Sequence, residues 1–477
     1  MPSTDGTKRL DLRKQHWHFI GILGSGMQSM ATYAAECGAR ITGSDIHPSP
    51  SLGALTRRGI RVSLSQEARN LERDTNLVVV SQAIGEDNPE LLHARRLGLE
   101  VMRYPEMLGM LMEYQKGIAV SGTHGKSTTS SLTAYCLKRA GLDPSYVIGA
   151  DVPQLGGGSH YGKGDWMVAE ACEYKRSFLC LSPKVGVITN IDADHLDYYY
   201  DLWEIKEAFA QFAANCTEDG VLVANGDDEN TCAMLRESGI GALTVGIEAK
   251  KADYRAERIW RAKVHTNFDL VYKGKKVDRF TTKLYGTHNV LNALCAIAAC
   301  HTAGMEFEDI RAGLEEFEGA ARRLQLVGTP WDVSVISDYA HHPKEIEASI
   351  AAAHQRFPGQ RIFVIFQPHQ FSRTKKLLPQ LAESFRTAWV TYICDIYAAR
   401  DSQEDQKSVS AQDVVRQMNH IGLLAHYVPE FEDVEEIIVG DVIPDDVVLV
   451  MGAGSVYQVA HNIIPRIAEK GRRQIAA

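Results

Sequence analysis

Short runs of β-branched and aliphatic residues alternate with Ala-, Leu- and Glu-rich stretches of helical period along the whole chain. That alternation predicts strand–helix–strand units and parallel sheets, an α/β fold. Three blocks are legible. The first opens with the strand HFIGI, a glycine turn and the helix MQSMATYAAECG, and continues through ITGSD and LVVVSQAI to about Glu113. The second begins with GIAVSG and runs through WMVAEA, VGVITNI and GVLVANGD. A β-rich stretch then leads to the helix HNVLNALCAIAACHTAG, and the block closes near Leu326. The third holds VSVISDY, RIFVIFQPH, WVTYICDIY and VVLVMGAG, each followed by a helical pattern. The expected domains are therefore 1–113, 114–326 and 327–477. The polar opening segment MPSTDGTKRLDLRKQ has no apolar stretch of the kind a secretory signal requires and reads as a short lead-in.

In the second and third blocks the apolar strands end in polar or glycine residues: 123–126, Glu170, 192–195, Asp338, His369, Asp395 and 452–454. Strand ends always meet polar loops, but so many Asp, Glu, His and Lys residues suggest more. In open parallel sheets ligands bind beyond the carboxyl ends of the strands.

Composition narrows the classes. At 477 residues the chain exceeds one core, and 45% apolar with 23% charged residues is ordinary for a globular protein. No apolar run approaches the ~18 residues of a membrane span. The net charge of −9 offers no general basic excess for a nucleic-acid backbone. The nine cysteines form no C-x-x-C pair, which fits a reducing, cytoplasmic setting; Cys136, Cys295 and Cys300 read as small buried hydrophobes.

The sharpest chemistry lies at Ser121-Gly122-Thr123-His124-Gly125-Lys126-Ser127-Thr128, between a strand and a helix. Glycines there let backbone N–H groups close around a phosphate, at a helix N-terminus that favours anions. Lys126 would reach the outer phosphates and the Ser127 hydroxyl would ligate Mg²⁺. Val120 stands where the usual P-loop has its first glycine. Mg²⁺ needs only one or two further protein ligands, and Glu170 and His195 are placed to serve from neighbouring strand ends. Alternatively, Glu170 caps a turn and His195 satisfies a loop backbone. Near the N-terminus, Gly21-x-x-Gly24-x-Gly26 with Asp45 invites a nicotinamide-oxidoreductase reading, although the glycine order is not G-x-G-x-x-G.

The ordered series HFIGILGSGM, ITGSD, GTHGKSTT, NIDADHLD, GTHNVLNALCA, FEGAARRLQ, SDYAHHPKE, FQPHQFSRT and MGAGSV resembles the Mur ligase family over essentially the whole chain. The resemblance implies a Rossmann-like UDP-sugar domain, a central P-loop ATPase α/β domain and a Rossmann-like C-terminal domain for the amino acid. It implies ATP-dependent joining of L-alanine to the lactyl carboxylate of UDP-N-acetylmuramate through an acyl-phosphate, with ATP and Mg²⁺, no nucleic-acid or membrane partner, and a monomer or homodimer. It places Gly122, Thr123, His124, Gly125, Lys126, Ser127, Thr128, His288, Asn289, Asn292, Arg323 and Asp338 at ATP. Gly24, Ser25, Gly26, Met27, Ser44, Asp45, Ser81, His369 and Arg373 fall at the substrates. Lys126, His195 and Arg373 carry catalysis, and Ser127, Glu170 and His195 hold metal. The chain departs from the family pattern in EACEYKRSFL, where Cys172, Lys175 and Arg176 enter a typically acidic segment. It departs again at Gln370, where an arginine is usual, and in GAGSV for GAGD. Later-acting members carry a carbamylated lysine on the helix after D-H-x-D; Phe209 falls about there, with Lys206 one turn away. A murein-peptide recycling ligase, a Mur-type ligase for another amino acid and a non-catalytic binding protein remain as alternatives.

Adjacent His341 and His342 point opposite ways in an extended loop and suit local or substrate contacts better than one metal ion. The run DYYYDLW reads as packing, and Arg322 as a support residue.

Overall fold

The computed structural model describes residues 10–49, 51–262, 265–399 and 401–476; most of the polar lead-in lies outside them. Strands and helices alternate throughout, as the hydrophobic pattern predicts, and the strands assemble into three sheets. Contacts divide the chain into two compact units. One holds residues up to Arg258 with Phe268–Phe280 and Leu291–Phe317; the other holds Ile259–Asn267, Thr281–Val290 and everything from Glu318. The first unit thus spans the first expected domain and most of the second.

In that unit the N-terminal sheet is fully parallel, in the order Arg61–Ser63, Arg40–Ser44, His16–Ile20, Leu77–Val80, Glu100–Arg103. The strand order reverses at His16–Ile20, which makes the carboxyl end of that strand a crevice for a ligand. The helix Ser25–Glu36 follows immediately and buries Met27, Met30, Ala31 and Tyr33. A second, ten-stranded sheet has a parallel centre of Val221–Asn225, Val185–Ile188, Lys116–Ser121, Trp166–Glu170 and Ser145–Val147. Register matters here. Ser121 pairs with Ile188 and Val120 with Glu170, so three polar loops leave one sheet edge at the same level. One apolar cluster joins Phe19 and Met30 to Phe178, Phe209 and Phe212, a fixed floor under both sheets.

The second unit has a six-stranded sheet in the order Gln325–Gly328, Ser334–Asp338, Val447–Met451, Ile362–Phe366, Val390–Ile393, Ala425–Tyr427. Only its first strand is antiparallel. Alternate residues of its strands feed two separate cores, Ile336, Val364 and Leu449 on one face and Val335, Phe363 and Val448 on the other. Both faces are therefore covered, the condition for near-continuous apolar strands. Cys136, Cys295 and Cys300 are buried as expected. No helix among the described residues is long and apolar enough to cross a membrane.

Candidate active site

The strand Lys116–Ser121 runs into the phosphate loop, and the helix Lys126–Arg139 begins at the loop's lysine. Gly122 and Gly125 adopt φ of 137° and 84°, conformations that disfavour any residue with a Cβ. Sterics make the same demand. A Cβ on Gly122 would lie 2.0 Å from Thr189 Oγ1, and one on Gly125 would lie 2.3 Å from Asn292 Oδ1. Close approach of two neighbouring elements therefore fixes the loop's shape before any ligand binds. The backbone is pinned as well: His124 N–H donates to Asn190 Oδ1 at 2.8 Å, and Thr189 Oγ1 donates to His124 O at 2.5 Å. The first amides of any helix lack intrahelical acceptors, which makes a helix N-terminus such as this one a place that favours anions.

Lys126 is the loop's cation. Its Nζ donates to Gly122 O at 2.5 Å and Thr123 O at 3.0 Å, and lies 2.9 Å from a carboxylate oxygen of Glu173. Burial works against the ammonium, but Glu173, reinforced by Cys172 and Glu170, holds its pKa above the ordinary lysine value. Burial likewise works against the Glu173 carboxylate, yet Lys126 and His195 keep its pKa below the usual carboxylate value. Each ion is tolerated because the other is there.

His195 completes the group. Its Nε2 lies 3.4 Å from Glu173 Oε1, and its ring sits 4.9 Å from that of Tyr174. The backbone at His195 has φ of 54°, and its N–H is held by Asp194 Oδ1 at 2.7 Å. Its buried Nδ1 has no hydrogen-bond partner among the described residues. Tyr199 is buried, and its hydroxyl donates to Glu173 O at 2.5 Å, anchoring the acid from below. The DYYYDLW run packs only in part: Leu202 lies against the apolar cluster and the Tyr198 ring sits 4.9 Å from that of Tyr199, but Tyr200 is 91% and Trp203 63% exposed.

Comparison with known proteins bears on this arrangement. Residues 16–116 match the domain described as Mur ligase family, catalytic domain; residues 120–300 match the Mur ligase middle domain; residues 322–454 match the Mur ligase glutamate ligase domain. A UDP-N-acetylmuramate–L-alanine ligase from Pelotomaculum thermopropionicum is 40% identical over 458 residues, covering 96% of this chain and 98% of the relative. The chain belongs to the Mur ligase family. The UDP-N-acetylmuramate–L-alanine ligase of Caldanaerobacter subterraneus is 39% identical over 95% of this chain and 98% of its own length. A crystal structure of a UDP-N-acetylmuramate–alanine ligase from Thermotoga maritima superposes with a TM-score of 0.83 at 28% identity, covering 95% of this chain and 99% of that one. A murein peptide ligase from Psychrobacter arcticus gives 0.70 at 24% identity over 95% of this chain and 99% of that one, a likeness of fold alone.

Within the Mur ligase frame, the structure sorts the expected site residues. Ser127 and Thr128 lie buried in the first turn behind Lys126. Glu170 ends its strand, where Oε1 accepts from Gly149 N–H at 2.9 Å. The acid beside His195 and Lys126 is Glu173, which sequence reasoning passed over. Its only sequence signal was a second glutamate three residues on; the left-handed φ of 52° and 55° at Lys175 and Arg176, which shapes that segment, is visible only in the structure. Two bulky residues held in that conformation mark a backbone shaped for a purpose. Asn292 is buried against Gly125. His288 and Asn289 lie in the first turn of the helix Thr287–Thr302, whose residues up to Val290 belong to the second unit, and the Asn289 amide donates to Tyr285 O at 2.7 Å. Phe209 is fully buried with its ring 5.2 Å from Phe178, while Lys206 lies 3.2 Å from Glu237.

At the N-terminal crevice, Gly24 and Ser25 are exposed at the start of their helix, and Gly26 and Ser81 are half-buried beside them. Asp45 accepts from Leu23 N–H at 3.0 Å and shapes the turn. Ser44 is wholly buried and donates to Glu90 at 2.5 Å, an internal contact.

In the second unit Asp338 is buried, and its oxygens accept from Leu324 N–H at 2.6 Å and Ala340 N–H at 2.7 Å. Burial raises its pKa even with Arg323 nearby. The Arg323 guanidinium lies 4.9 Å over Tyr339. Arg322 donates to Gly452 O at 2.6 Å and Gly454 O at 3.1 Å, so the support residue ties down the glycine loop. His369 and Arg373 meet at 3.2 Å and line, with His341 and Thr374, a small cleft. His342 sits at the start of the helix Pro343–Arg356.

Proposed function

We propose that the chain is an ATP-dependent ligase that forms an amide between the lactyl carboxylate of UDP-N-acetylmuramate and L-alanine, an early cytoplasmic step of peptidoglycan synthesis. The observation that carries this reading is the meeting of Lys126, Glu173 and His195 at a phosphate loop already braced by Asn190 and Thr189. A carboxylate does not condense with an amine in water until one of its oxygens becomes a leaving group. Transfer of the ATP γ-phosphoryl group makes it one. Lys126 and the helix amides neutralise charge on the transferring group, which is how phosphoryl transfer is mainly promoted.

Mg²⁺ is a hard cation that takes oxygen ligands, so a hydroxyl and a carboxylate suit it, and the buried, partnerless His195 Nδ1 offers a further donor beside them. Ser127, Glu173 and His195 would hold the ion, with Glu170 near enough to share its field. Bound there, Mg²⁺ would supply Lewis-acid stabilisation of the phosphate oxygens. The acyl-phosphate is then consumed by the amine of the amino acid.

The proposed division of labour follows the domains 1–113 for the UDP-sugar, 114–326 for ATP and 327–477 for the amino acid. Arg373 would hold the amino acid's carboxylate, since a guanidinium meets a carboxylate in a two-point pair. Phosphate release measured against UDP-N-acetylmuramate and a panel of amino acids tests the reading. Release should require the nucleotide sugar and be fastest with alanine, then serine and glycine. A strong preference for a large or acidic amino acid, or for a peptide, would replace it with another Mur-type acceptor.

A further inference from the structure

Gly26 is a glycine for a reason its backbone does not supply, because its φ lies outside the left-handed range. A Cβ there would fall 2.9 Å from Tyr104 Cζ and 3.0 Å from its Oη. The hydroxyl end of the ring therefore lies against the first turn of the helix Ser25–Glu36, at the crevice where the N-terminal sheet reverses its strand order.

Tyr104 is held there firmly. The strand Glu100–Arg103 delivers it, Pro105 sets the start of the helix Tyr104–Met112, and Arg103 N–H is fixed by Glu106 Oε2 at 2.6 Å. The Arg103 side chain turns the other way and donates to Ser81 O at 3.1 Å and Ile84 O at 3.0 Å, bracing the neighbouring strand end. Pro105, Met107, Leu108 and Leu111 are buried below. The ring has little freedom to leave.

Its hydroxyl is different. Half-buried as the side chain is, the hydroxyl has no hydrogen-bond partner among the described residues. A tyrosine hydroxyl in such a place usually finds one. Burial pushes the phenol pKa up, and the nearby Glu170 and Cys172 push it further, so the group stays protonated and can only be a donor when it meets an anion. Glu170 ends the strand of the second sheet that leads to Glu173 and Cys172 follows two residues on, so the phenol stands between the N-terminal crevice and the phosphate-loop site within one compact unit. The mechanism above gives it no task.

We propose that Tyr104 is a positioning residue for the nucleotide sugar: its hydroxyl donates to the substrate's diphosphate where that group meets the first turn of the helix Ser25–Glu36. The inference rests on the reading of the N-terminal crevice as the UDP-sugar site and deepens it. A diphosphate held from one side by helix amides and from the other by a phenol has a fixed orientation, which aims the sugar and its lactyl arm toward Lys126. Gly26 then serves Tyr104, by leaving the space that the ring occupies.

Tyr104→Phe keeps the ring and removes only the donor, so packing is preserved. Calorimetry on the full-length protein should show affinity for UDP-N-acetylmuramate and for UDP weakened about tenfold, as expected for one hydrogen bond to a charged group, with uridine competing as well as before. In steady state the KM for the nucleotide sugar should rise with that for ATP unchanged and kcat within about twofold, the split that marks a binding contact. Gly26→Ala should produce the same selective loss by displacing the phenol. Unchanged affinity for UDP-N-acetylmuramate in Tyr104→Phe overturns the inference and leaves the proposed function standing. So does a fall in kcat with KM intact, or an equal rise in both KM values, because neither is a diphosphate contact. Failure of the unaltered protein to bind UDP-N-acetylmuramate at all would instead overturn the underlying reading.

Discussion

Residues 121–128 and residues 170–178 leave adjacent parallel strands at one edge of the same sheet and carry the two halves of one ion pair, Lys126 and Glu173. They reach their conformations by opposite means. The phosphate loop places glycine at both positions of left-handed φ, 122 and 125. The acidic segment places Lys175 and Arg176 at φ of 52° and 55°, and tertiary contacts hold them there. Arg176 pairs with Glu204 at 3.0 Å, Lys175 reaches Gln82 O at 3.2 Å, and Phe178 stacks on Phe212 at 5.1 Å. A shape written in glycines is legible from local sequence. A shape imposed by surroundings is not, although its chemistry is no less exposed to mutation.

The largest effect should come from Lys126→Ala. Loss of a cation at the transferring phosphate should lower turnover by ~10²-fold or more. Because Glu173 would be left buried without its partner, the variant should also lose about 3–5 kcal/mol of stability. Turnover within a few-fold of the parent protein would break the comparison at its root.

Next come the two glutamates. Glu173→Gln should lower turnover by about 10²-fold and weaken Mg²⁺ dependence, while Glu170→Gln should cost no more than about tenfold. A reversed ranking would return the principal acid to the strand end.

A third effect is the pH dependence of folding. Glu173 has a pKa depressed in the folded state, so its stabilisation is present above the ordinary carboxylate value of 4.5 and is lost as pH falls through the depressed one. Lys126 has a raised pKa, so its share is present below 10.5 and lost as pH rises beyond that. Thermal melts should therefore show a plateau across neutral pH, and Glu173→Gln should flatten the acid limb. An identical acid limb in both proteins would mean that the pair contributes nothing to folding.

The smallest effect separates the two kinds of left-handed residue. Lys175→Gly relieves a conformation that costs roughly 1–2 kcal/mol but adds the disorder of an unfolded glycine, so its stability should change by less than about 1 kcal/mol. Gly125→Ala meets both the φ penalty and Asn292 Oδ1, and should be clearly destabilising in the same melts. Equal effects would show that surroundings, not glycines, shape both loops.

Taken alone, the sequence determined the α/β class, the strand-to-glycine-to-lysine phosphate loop and the family. Each is written in local periods or in contiguous residues whose covalent geometry limits what they can do. His195 was legible for the same reason, as one member of a tight D-A-D-H run. The carboxylate that pairs with Lys126 was not. Glu170 ends the strand and looked better placed, but strand register and the turn through Lys175 and Arg176 carry Glu173 back to Lys126, and both are long-range properties. The DYYYDLW run divided for a similar reason: three identical rings in sequence differ only in which one the fold places beneath the acid, Tyr199, leaving Tyr200 in solvent. Tyr104 is the extreme case, a side chain without a motif, whose meeting with Gly26 across 78 positions exists only once the N-terminal sheet has closed on its helix.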